Sequence, residues 1–131
     1  MSLSDKQWIF LQNVGNLITY AAKNGYKLTG GELYRTEDQQ WLYYNGKTIH
    51  DGELIDDTRK SKTMKSKHLK RLAVDLNIFK NGVLTYKYED VEPLGRYWMS
   101  LNKNNRWGGD WNKNHENDDN FKDIPHFEMN I

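Results

Sequence analysis

Apolar residues recur every three or four positions at the start of the chain and every second position in its middle and at its end. The two periods predict different elements. Trp8, Leu11, Val14, Ile18 and Ala22 follow the helical spacing, with Ser4 and Gln7 at capping-box distance ahead of them, so a helix is predicted from about Asp5 to Lys23. Asn24-Gly25 is its stop signal. Tyr26 to Thr29 and Glu32 to Arg35 read as short extended segments around Gly30-Gly31, and Thr36 is placed to cap a brief helix from Asp38 to Tyr44. Residues 45–66 are polar and glycine-marked, and predict a long loop.

From Leu72 to Phe79 the pattern alternates. Leu72, Val74, Leu76 and Ile78 share one face of a strand, and Ala73, Asp75 and Asn77 share the other. Asn81-Gly82 predicts a hairpin that returns Val83 to Tyr86 antiparallel to that strand. Asp90 to Leu101 follows as a helix, with Pro93 in its first turn and an apolar stripe of Leu94, Tyr97, Trp98 and Leu101. The last residues alternate again, with His126, Glu128 and Asn130 opposite Phe127, Met129 and Ile131. The order of elements predicts an α+β fold, a small antiparallel sheet flanked by helices, in one domain over 1–131. If the final strand lies beside Leu72 to Phe79, His126 and Asp75 meet on one polar face.

Charge and composition narrow the chemistry. Nineteen basic and eighteen acidic side chains leave a formal charge of +1, so no global field draws the chain onto nucleic acid or an anionic membrane. The charge is nevertheless segregated: Arg59, Lys60, Lys62, Lys65, Lys67, Lys70 and Arg71 crowd one segment, and 110–123 is acidic and rich in asparagine. There is no cysteine, which removes thiolate chemistry and leaves histidine, carboxylate and backbone oxygen as metal donors. Neither a secretory signal pattern nor an apolar run of membrane-spanning length is present.

Two short clusters carry the candidate chemistry, Ser66-Lys67-His68 with Asp75 seven residues after the histidine, and Asp123-Ile124-Pro125-His126. A His/Asp/His set is chemically sufficient for zinc with a coordination position left open. Together the clusters resemble the signature of the zinc peptidoglycan peptidases, the family of D-alanyl-D-alanine carboxypeptidases and phage L-alanyl-D-glutamate endolysins: Ser-x-His, six residues, Asp, and far downstream an acidic residue, two residues and His. The resemblance extends to Gly31-Glu32-Leu33-Tyr34-Arg35-Thr36, Leu94-Gly95-Arg96-Tyr97-Trp98 and Trp107-Gly108-Gly109-Asp110-Trp111, and runs closest to the endolysin branch.

The resemblance implies zinc on the sheet face, held by His68, Asp75 and His126, with Asp123 as the base and Arg35 stabilising the tetrahedral oxyanion. Ser66 is a candidate substrate or ligand-supporting contact, and Glu128 a candidate for orienting a ligand or for serving as the base in place of Asp123. Trp107 and Trp111 read either as an aromatic wall for glycan or peptide, or as core. His50 and His115 match no part of the signature. The family usually has glycine where this chain has Arg71, and a bulky side chain there is expected to narrow or recharge the approach to the metal. Oxygen side chains alternate from Asp110 to Asp118 as in a calcium loop, although the glycine and glutamate such a loop requires are missing.

The function these features imply is a monomeric zinc endopeptidase cutting the L-alanyl-D-glutamate bond of peptidoglycan stem peptides. It would serve a phage or prophage as an endolysin, wait in the host cytoplasm until a holin-type protein opens the membrane, and have no stable membrane or nucleic-acid partner. A D-alanyl-D-alanine carboxypeptidase is the alternative within the class. Outside it, a nucleic-acid-binding module using lysines and stacked aromatics, or a wall-binding domain without catalysis, remain open.

Overall fold

A computed structural model describes residues 1–131. The elements in chain order are α1 (Leu3–Lys23), β1 (Tyr26–Gly30), α2 (Glu37–Asn45), β2 (Lys47–His50), β3 (Glu53–Asp56), a single 3₁₀ turn (Lys67–Lys70), β4 (Ala73–Lys80), β5 (Val83–Leu84), α3 (Tyr88–Leu101), β6 (Asn105–Trp107) and β7 (His126–Met129). The main sheet runs β1-β4-β7-β6, with β5 folded back on β4, and every pairing is antiparallel. This is the α+β architecture that the alternation of helical and strand periods predicts.

Helix α1 starts two residues earlier than its spacing suggests, because Ser2 and Asp5, not Ser4 and Gln7, form the capping box. Its buried stripe is also different. Phe10, Val14, Leu17 and Ala21 face the core, while Trp8, Leu11 and Ile18 stay exposed. The sequence of α1 carries two overlapping apolar stripes that share Val14, and packing selects the one that meets α3, where Trp98 lies edge-on to Phe10 at 5.6 Å. Phe10, Val14 and Leu17 each contribute roughly 1.5–3 kcal/mol by their removal from water.

Residues 45–66 are not one long loop. Asp51-Gly52, both at positive φ, turn a hairpin in which Lys47 pairs with Asp56 and His50 with Glu53. The hairpin forms its own two-stranded sheet and β3 is exposed throughout, so no buried face imposes apolar alternation on its sequence. β6 was likewise hidden, being three residues long. Because α3 begins at Tyr88, Pro93 falls in the helix's second turn and not its first.

Trp98 ties α3 to the sheet edge. Its indole N–H is shared between the carbonyls of Arg106 and Glu128, at 3.0 and 3.1 Å, and so fixes β6 against β7. The core of Phe10, Leu17, Ile78, Leu94, Trp98, Phe127 and their neighbours lies between the helices and one face of the sheet. The polar side chains of β4 and β7 are left on the other face.

Candidate active site

Asp75 and His126 are directly opposite one another in the β4–β7 register. His68 arrives from the 3₁₀ turn, which Ser66 caps by accepting the His68 amide hydrogen at 3.2 Å. Asp75 presents one carboxylate oxygen to each imidazole: Oδ1 lies 3.2 Å from His126 Nδ1 and Oδ2 lies 3.4 Å from His68 Nε2. These separations are comparable with the ~3.3 Å edge of a tetrahedron whose metal–ligand bonds are ~2.0–2.1 Å. One donor atom from each of the three residues lies within 4.8 Å of the other two.

Each histidine has its ring fixed by its other nitrogen. His68 Nδ1 donates to the Leu33 carbonyl at 3.0 Å, leaving Nε2 as a buried lone pair without a hydrogen-bond partner. His126 Nε2 donates to Glu128 Oε1 at 2.8 Å, so Nδ1 is the nitrogen aimed into the cluster. Arg106 holds Glu128 in turn, with Nε and a terminal nitrogen 2.9 and 2.5 Å from Oε2. A partnerless buried imidazole nitrogen and carboxylate-anchored ligand geometry are the features a transition-metal site requires, and the residues fit one.

The electrostatics follow from this crowding. Burial opposes ionisation of Asp75, but the two imidazoles that face its carboxylate, His126 and His68, outweigh it and lower its pKa. Burial likewise disfavours the His126 cation, yet Asp75 and Glu128 prevail and raise its pKa to about 9. Asp123 goes the other way. Burial, with repulsion from Asp75, raises its pKa against the attraction of His126, His68 and Arg35.

Asp123 reaches the cluster through backbone pairing that continues beyond β6. Its amide donates to Gly108 at 2.8 Å, and the Gly108 amide donates to His126 at 2.9 Å. A Cβ on Gly108 would sit 2.0 Å from the Asp123 carbonyl oxygen, so only glycine lets the two chains approach. The carboxylate then stands 3.8 Å from His126 Nδ1 and on the wall of a cavity of about 250 Å³. Arg35 lines the same cavity, braced by Glu32, by Gln40 Oε1 at 2.7 Å and by the Tyr43 ring 4.7 Å below.

A family model described as D-alanyl-D-alanine carboxypeptidase matches residues 59–129, more than half of the chain and inclusive of His68, Asp75, His126 and Asp123. The chain belongs to this peptidase family. The crystal structure of the L-Ala D-Glu endopeptidase ChiX of Serratia marcescens is similar in fold, with a TM-score of 0.64 and 18% identity, covering 92% of this chain and 77% of that one. No curated protein matches. By family, then, this is a peptidoglycan peptidase, and no helix in it is long and apolar enough to cross a membrane.

In this peptidase several side chains differ from their sequence-based expectation. Trp107 is no wall of the cleft: it is fully buried, packed between Gly95 and Gly109, with its indole donating to the Ile124 carbonyl at 2.8 Å. Trp111 does line the cavity, 5.3 Å from the His126 ring. Arg71 neither narrows nor recharges the approach. It caps the 3₁₀ turn at φ 56°, ψ 38°, the left-handed region where glycine is the ordinary choice. Its guanidinium turns away from the metal donors to lie 4.2 Å above Tyr34, in a groove with Trp8 and Leu11.

Ser66 has two structural partners, the His68 amide and an Arg35 nitrogen 3.4 Å away, and it also borders the cavity. Glu128 is committed to His126 and Arg106 and is 5% exposed, so its carboxylate has no oxygen free of a partner and fixes the His126 ring. His50 and His115 are exposed and remote from the cluster. In the acidic loop, Asp118 accepts from Asn112 and Asn114, and Asp110 pairs with Arg96, so those oxygens bind the loop together. Sequence reasoning passed over Arg106 and Gln40. Arg106 is opposite Glu128 in register, a pairing legible only once 105–107 is known to be a strand.

Proposed function

We propose that the protein is a zinc-dependent endopeptidase that hydrolyses the L-alanyl-D-glutamate bond of peptidoglycan stem peptides. The observation that carries this is the cluster of His68, Asp75 and His126, whose two histidines open onto one cavity that Asp123 and Arg35 also line. Zinc is the ion such a donor set suits, and when bound it supplies Lewis acidity, polarising a carbonyl and lowering the pKa of a water toward ~7. The rest of the chemistry belongs to the chain. Asp123, its proton affinity raised by burial, takes the proton of the attacking water and delivers it to the nitrogen that leaves as an amine. Arg35, held by Glu32 and Gln40 so that it loses little freedom on engagement, faces the oxygen that becomes negative. Glu128 and Arg106 keep His126 in one tautomer throughout.

The bond assignment draws support from the fold shared with the Serratia enzyme over nearly the whole chain, and the alternative within the family is removal of a terminal D-alanine. An endolysin role is part of the same proposal. In that role a holin-type protein opens the membrane and gives the enzyme access to the wall. Digestion of purified murein followed by mass analysis tests the reading. New amino-terminal glutamate on the stem peptides is the expected product, and loss of terminal D-alanine alone would overturn the bond assignment.

A further inference from the structure

The cavity that holds Asp123 and Arg35 is lined by far more positive than negative charge, and the excess is unpaired. Of its basic side chains, Arg35 is bound to Glu32, Arg106 to Glu128, and Lys60 to Asp57 at 3.0 Å. Lys62, Lys65 and Lys67 make no ion pair and no side-chain hydrogen bond. Lys62 instead rests 4.4 Å above the Phe121 ring, joining the segment before the 3₁₀ turn to the loop before β7 across the cavity. The chain as a whole is nearly neutral, at +1, so this positive excess is local to the cavity and is balanced by acidic groups elsewhere. Like charges gathered around a concave surface repel one another, and the repulsion is relieved when an anion enters.

We infer that Lys62, Lys65 and Lys67 form a carboxylate-reading wall for the substrate residue on the amine side of the scissile bond. The inference rests on the endopeptidase reading for its placement. A glutamate residue has two carboxyl groups, and a peptide chain that continues through either of them leaves the other free as an anion next to the amide being cut. Three flexible ammonium groups suit that ligand, because they can meet a carboxylate without the fixed fork that Arg35 presents. The wall also gives the basic segment of the sequence a purpose within the site, in place of contacts to nucleic-acid phosphate.

The test is a binding comparison on zinc-loaded Asp123→Asn protein, whose turnover is expected to be about 10²–10⁴-fold slower, so that binding is read before cleavage. Two synthetic L-Ala-D-Glu stem peptides are titrated, one with the free carboxylate and one with that group amidated. The free-carboxylate peptide is expected to bind about tenfold tighter, a charge-assisted contact, with the advantage shrinking as salt rises. In a Lys62→Gln, Lys65→Gln, Lys67→Gln background the two peptides bind equally, at the affinity of the amidated one. Equal binding to the unsubstituted lysines, binding of neither peptide, or a preference that survives the triple substitution overturns the wall. Cleavage by the wild-type enzyme is read separately by mass. A lysine-dependent preference without Ala–Glu scission would remove the bond assignment and leave the carboxylate wall standing.

Discussion

The candidate metal centre and the cleft wall facing it are built in opposite ways. Every donor in the centre is pinned from behind: His68 by the Leu33 carbonyl, His126 by Glu128 and Arg106, and Asp75 by backbone pairing with Gly31 and Glu32. The wall consists of the irregular segment that leads into the 3₁₀ turn, the first residue of that turn and the loop before β7, and three of its lysines make no ion pair. The difference separates two tasks. Chemistry requires atoms held to fractions of an ångström, which paired strands provide, whereas recognition of a flexible anionic peptide is served by side chains free to move.

Substitutions on the two sides should therefore fail differently. The largest effect belongs to Asp123→Asn, which removes the proton carrier while leaving the donors and their anchors intact. Its kcat is expected to fall by about 10²–10⁴, with zinc content unchanged by metal analysis. Arg106→Ala comes next. Glu128 would lose its anchor and His126 its fixed orientation, so zinc affinity should weaken by roughly 10–100-fold in competition with a chromophoric chelator, with partial recovery in Arg106→Lys.

A proton count sharpens the same point. The His126 pKa is raised to about 9 without metal, so at pH 7.5 both ring nitrogens carry hydrogen, and donation from Nδ1 requires loss of one of them. Zinc binding should release about one proton from this residue, and apparent affinity should rise with pH until His126 deprotonates unaided. Calorimetry in buffers of different ionisation enthalpy reads the number directly, and zero release would contradict the assigned geometry. The smallest effect is expected at Arg71→Gly. Relief of a left-handed backbone, worth up to about 1 kcal/mol, works against loss of the Tyr34 contact. Because Arg71 faces away from the donors, kcat/KM should change by less than about twofold.

Much of the centre was legible because its residues lie on strands whose period-2 pattern is enforced by a buried face. The alternation of Leu72, Val74, Leu76 and Ile78 against Asp75, and of Phe127 and Met129 against His126, puts Asp75 and His126 each on the polar face of its strand, and the β4–β7 pairing brings the two together. The sequence leaves the direction of Arg71 and the choice between wall and core for Trp107 undetermined for a related reason: neither the direction of a side chain leaving a left-handed cap nor the depth of an indole between two glycines has a periodic signature. The β2–β3 hairpin escaped because no core face shapes its composition. α1 was assigned the wrong stripe because its sequence offers two, and only the position of α3 chooses between them.

The account turns on His68, Asp75 and His126 sharing one ion. Metal analysis of purified wild-type protein beside Asp75→Ala, with folding checked by circular dichroism, tests that most directly. About one zinc per chain in the wild type and almost none in the folded variant is the predicted result. A folded Asp75→Ala protein that retains a full equivalent of zinc and still digests murein would contradict it.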